Sequence, residues 1–141
     1  MSPRRWLPTV IRARQAQEDL LAQQVATARQ DADRAMDQLA VQSERVAGLS
    51  MPAQLSVAEF HAEIAGQQAS IASLAAAQHR VQFADARLRS ELDGLTEAAR
   101  SRRSVEKMQE RLDSEQSQQE LAVAQREQDD IAITRHLRAA G

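Results

Sequence analysis

GLSMPAQLSVAEF, Gly48–Phe60, is the stretch on which the fold turns. Gly48 and then Met51-Pro52 stop a helix, because the proline ring disfavours helical geometry at the residue before it. Just beyond, Ser56-Val57-Ala58-Glu59 reads as a capping box. The Ser56 hydroxyl accepts from the Glu59 amide, and the Glu59 carboxylate accepts from the Ser56 amide. Leu55 and Phe60 occupy the staple positions that set the angle of entry into the new helix. The segment 50–56 is therefore a corner between two helices.

Outward from the corner, each flank carries an apolar seam. Toward the N-terminus the steps alternate four and three from Leu7 through Ile11, Arg14, Glu18, Leu21, Val25, Ala28, Ala32, Ala35, Leu39, Gln42 and Val46 to Leu49. Ten of these thirteen positions are apolar, a period of about 3.5 that marks a coiled coil. A second seam of equal length runs through Val57, Phe60, Ile64, Gln67, Ile71, Leu74, Gln78, Val81, Asp85, Leu88, Leu92, Leu95 and Ala99. The two predict an all-α, antiparallel two-helix coiled-coil hairpin, a single domain over 1–141. Its helices span about 7–49 and 57–138. Pairing Leu49 with Val57 puts Leu7 opposite Ala99, and sets Ala28, Ala32 and Ala35 against Gln78, Leu74 and Ile71.

Past Ala99 the period is expected to slip. No Gly or Pro occurs between Thr96 and Ala140, so the helix runs on, and 100–138 is predicted as an extension beyond the hairpin. The apolar residues Leu121 to Ala124 are bunched around it instead of aligned. Charge is blocked along the chain. Arg4, Arg5, Arg12 and Arg14 stand without an acid in 1–14, a second basic block fills 100–111, and 113–130 is acidic, within a net charge of −2. Antiparallel pairing sets the two basic blocks side by side as a collar.

Composition narrows the function. Aromatic residues are 2% of the chain, namely Trp6, Phe60 and Phe83, too few for a thick core or for base stacking. With the acidic balance, this argues against nucleic acid as a partner. Without cysteine, thiolate metal sites and a Cys nucleophile are excluded. Asp129 and His136 lie two helical turns apart, about 10 Å, too far to share an ion. His61 and His79 sit on helix flanks. A two-helix hairpin offers no dry cleft in which acids and bases are tuned, so neither an enzyme nor a cofactor is expected. No run approaches the ~18 apolar residues of a membrane span, and Arg12 and Arg14 interrupt the apolar stretch after the basic start, so no secretory signal and a cytoplasmic location are expected.

Both ends carry a family pattern. RWLPTVIRARQAQE, Arg5–Glu18, resembles the opening of the flagellar FliJ family through Trp6, Leu7, Val10, Ile11, Arg14 and Glu18. REQDDIA, Arg126–Ala132, is similar to that family's C-terminal run, with Asp130 where Glu is usual. The resemblance implies a component of the flagellar type III export apparatus that acts as a stalk like the central stalk of rotary ATPases. Its implied partners are the hexameric export ATPase, the export gate protein FlhA and export chaperones, with peripheral membrane association through the apparatus. By analogy Arg5, Arg12, Arg14, Glu18, Arg126, Asp129, Asp130 and Ile131 face the ATPase. Gln38, Gln42, Leu49, Phe60 and Ile64 are the gate-facing candidates. The competing reading is a homodimeric coiled-coil scaffold or adaptor, in which the second helix pairs with a copy of itself.

Overall fold

The computed structural model describes residues 3–141, with side chains from Arg5 onward, so Arg4 of the basic block lies outside the described side chains. Helix α1 spans Pro3–Ala47 and helix α2 spans Val57–Ala140. They pack antiparallel, as the two seams predict, and α2 is the longer. Pro8 lies in the second turn of α1, where its missing amide removes only one backbone bond.

The corner forms as its residues dictate. α1 closes with the Gly48 amide donating to the Glu44 carbonyl at 3.0 Å and the Leu49 amide to Val46 at 3.2 Å. The capping box is made in both directions: the Glu59 amide donates to Ser56 Oγ at 3.2 Å and the Ser56 amide to Glu59 Oε2 at 3.3 Å. The Phe60 amide donates to the Ser56 carbonyl at 2.8 Å, the first turn of α2. The expected staple does not cover Phe60, which is 46% exposed and stands edge-on to His61, 6.2 Å between ring centroids.

The chain divides into two compact units: Gln17–Glu97, and the N-terminal residues to Ala16 with Ala98–Gly141. In the first, Ala32, Ala35 and Ala84 form the core, with Val81 and Leu88 packed on it. Val25, Ala28 and Ala77 are also buried. In the second unit Leu7 is buried, 1% exposed. Every expected seam position of α1 from Leu7 to Val46 is buried or half-covered, Arg14, Glu18 and Gln42 included; only Leu49 is exposed.

On α2 the seam differs from expectation. One unbroken four-three column of covered positions runs through Glu63, Gln67, Ser70, Leu74, Ala77, Val81, Ala84, Leu88, Glu91, Leu95, Ala98, Arg102, Val105, Gln109, Leu112 and Gln116. Eight of the thirteen expected positions are half-covered, namely Ile64, Gln67, Leu74, Val81, Leu88, Leu92, Leu95 and Ala99, but Ala77 and Ala84 replace Gln78 and Asp85, which are exposed. Two physical reasons favour this face. Burying the Asp85 carboxylate would be costly, and alanine against alanine lets the two backbones approach closely. The register moves with it. Asp31, expected beside Ala75, pairs with Arg87 at 3.2 Å, and Arg14, expected beside Leu92, donates to the Ser101 hydroxyl. α2 is thus displaced by roughly ten residues, about three helical turns.

The slip expected after Ala99 is likewise absent, since the four-three alternation continues to Gln116. The fully exposed stretch of α2 is 117–140, with Gly141 after it, not everything from residue 100.

Candidate functional site

The ATPase-facing candidates fall in separate places. Arg5 and Arg12 are seven residues apart, so both project from the side of α1 opposite Leu7, and both are exposed. Trp6, beside Arg5, is 45% exposed. Arg14 is different: it lies in the seam, half-covered, with its guanidinium on the Ser101 hydroxyl. Glu18 is half-covered, belongs to the unit Gln17–Glu97 and is engaged in an interaction.

Arg126, Asp129, Asp130 and Ile131 lie in the exposed end of α2. Arg126 is 25 residues past Ser101, about 37 Å along the helix, so the structure does not gather this group around Arg5, Arg12 and Arg14. Its contacts are local. Gln125 Nε2 donates to Asp129 Oδ1 at 3.2 Å and the Thr134 hydroxyl to the Asp130 carbonyl at 2.8 Å. Asp130 and Ile131 edge a shallow depression with Thr134, Arg135 and Arg138. Four successive apolar residues, Leu121, Ala122, Val123 and Ala124, are exposed, and at about 100° per residue they point to nearly every side of the helix. Ile131, Ala132 and Ile133 repeat the arrangement. Such a helix has no single apolar face.

The gate-facing candidates, all within the unit Gln17–Glu97, are also split. Gln38 and Gln42 share a shallow depression with Asp37, Val41 and Arg80. The shifted register puts Gln42 near Arg80 instead of opposite Ile64. Ile64 and Phe60 then lie about 24 and 30 Å back along α2 from Arg80. Ile64 is half-covered, whereas Phe60 and Leu49 are exposed. Val57 and Ile71 extend this uncovered apolar surface at the start of α2.

The basic block expected over 100–111 is present in the second unit, but sequence reasoning did not say which of its cations face outward. Arg103, Lys107 and Arg111, spaced four apart, are exposed on the side away from the seam. Nearer the seam, Arg102 is held by Glu106 at 2.7 Å. The heptad recurrence of Ala77, Ala84 and Ala98 was the available signal, because continuing it past Ala99 sets this side outward.

No helix among the described residues is long and apolar enough to cross a membrane, and among them no three His, Asp or Glu side chains are grouped to hold a metal ion. Compared with known families, the chain matches the flagellar FliJ protein model over residues 4–141. Neither a curated relative nor a solved structure matches it at a significant level.

Proposed function

We propose that this chain, which belongs to the flagellar FliJ family, is the coiled-coil stalk of the flagellar type III export machinery. Membership makes it a non-catalytic structural component of flagellar export; the stalk role and its particular contacts are the proposal. In this reading the unit that carries both termini enters the ring of the hexameric export ATPase. The unit Gln17–Glu97 faces the export gate protein FlhA, and export chaperones dock along the coil. The protein works in the cytoplasm, at the membrane only through the apparatus.

The observation that carries the reading is the uncovered end of α2, 117–140, with its apolar residues on all sides. An isolated helix of this kind is marginal in water, and a partner that surrounds it covers all its apolar residues at once. Mechanically, the α1–α2 seam holds the helices together, so the chain passes force or orientation between ATPase and gate without chemistry of its own.

The test is to add the full chain to the purified export ATPase and measure ring assembly and ATP turnover. Both should rise; unchanged assembly and unchanged turnover would remove the stalk reading. One observation favours the homodimeric scaffold instead, namely the uncovered Val57, Phe60 and Ile71 at the start of α2, which a second copy could cover. Sedimentation separates the two: a tight, concentration-dependent dimer argues for the scaffold and a monomer for the stalk.

A further inference from the structure

We propose that the terminal unit carries a two-sided cationic collar that seats in the acid-lined mouth of an encircling protein partner. The inference rests on the ring-binding reading above and adds its chemistry: carboxylates where the stalk enters.

The collar follows from the observed register. Arg14 meets Ser101, so the basic start of α1 lies alongside the basic block of α2, more fully than the expected pairing with 92–105 allowed. Within that unit the two helices face each other through their seams, and the remaining cations point outward on both sides. Arg5 and Arg12 project from α1, and Arg103, Lys107 and Arg111 from the far side of α2, all exposed. No ion pair holds these five among the described residues. The block's two acids do little to offset them: Glu106 is already paired with Arg102, and only Glu110 is exposed beside the outward cations.

Like charges brought together on a coil destabilise it unless something answers them. They persist on both flanks of one short segment, which limits the kind of partner. A membrane surface can meet only one flank. A nucleic-acid strand would run on into the acidic stretch that begins at Asp113, and its phosphates would be repelled there. A ring with carboxylates confined to its mouth meets both flanks, while its bore takes the exposed tail beyond, with its apolar residues on all sides. Such matched charges set entry rate and orientation more than final affinity.

Two measurements test this with the full chain, using three variants: Arg5→Glu with Arg12→Glu, Arg103→Glu with Lys107→Glu, and, as control, Arg89→Glu, an exposed cation of the other unit. The first measurement is titration with poly-L-glutamate, with duplex DNA and anionic phospholipid vesicles in parallel. The second is binding to the export ATPase over a range of salt. Wild type should bind poly-L-glutamate at low salt, each collar variant should lose about tenfold, and the control should be unchanged. With the ATPase, the same variants should weaken binding by a similar factor and flatten its salt dependence, with helicity retained.

If the ATPase binds every variant equally and without salt dependence, the collar is wrong while the ring reading stands. Loss confined to one of the two variants overturns the encircling mouth in favour of a one-sided contact. Tighter binding to DNA or vesicles than to poly-L-glutamate overturns the assignment to protein carboxylates. If wild type fails to bind the ATPase, the stalk reading falls; absence of binding to poly-L-glutamate then overturns the collar independently.

Discussion

Arg12 and Arg14 are two residues apart in the sequence and have different jobs. Arg12 is exposed on the outward side of α1, whereas Arg14 is half-covered and bonded across the seam to Ser101. Arg14→Glu removes that bond and sets a carboxylate in the interface, and is expected to cost about 1–2 kcal/mol of stability, seen as a lower thermal midpoint by circular dichroism. Arg12→Glu should leave the midpoint unchanged and weaken stimulation of the export ATPase. The reverse pattern, with Arg12→Glu unfolding the chain, would assign Arg12 to the fold and take it out of the contact surface. Neighbouring side chains in a coiled coil thus separate into structural and recognition roles by direction alone.

At the scale of the element, the choice of face on α2 is the feature most open to test. Ala84 belongs to the core cluster with Ala32 and Ala35, while Gln78 is exposed. Ala84→Leu should overpack the close approach and cost about 1–3 kcal/mol, whereas Gln78→Leu should change stability little; both are read from urea midpoints. Stabilisation by Gln78→Leu would restore the face expected from sequence. The corner and the seam of α1 from Leu7 to Val46 were legible in the sequence, because the capping box is local and α1 has one sustained apolar column. α2 was not, because it has three candidate columns: the one through Leu74, Val81, Leu88 and Leu95, and two flanking ones through Ala77 and Ala84 or Gln78 and Asp85. Choosing between the flanking columns requires the partner helix, whose alanines favour small residues opposite. The grouping of Gln42 with Ile64 failed for the same reason, since it depended on the register. The exposure of Arg5, Arg12 and Asp129 depended only on spacing along one helix.

For the molecule as a whole, stability rests on little buried volume. Among the described residues, Leu7 and Val25 are the largest buried side chains, and the others, Ala28, Ala32, Ala35, Ala77 and Ala84, are all alanine. Each contributes about the burial of one methyl group, ~0.8 kcal/mol, so single cavities or clashes are a large share of the total. The residues 117–141 add no covered side chain. Ending the chain after Gln116 should therefore leave the thermal midpoint nearly unchanged while abolishing stimulation of the ATPase; retained stimulation would exclude the tail as the inserted part. The position of Trp6 has a separate use. It is the chain's single tryptophan, there is no tyrosine, and it is 45% exposed next to Arg5. The protein consequently carries its own fluorophore at the collar. Its emission should shift to shorter wavelength when a partner excludes water from that turn, and stay fixed when a ligand docks near Phe60. Unlabelled protein can thus report which of its two units has been occupied.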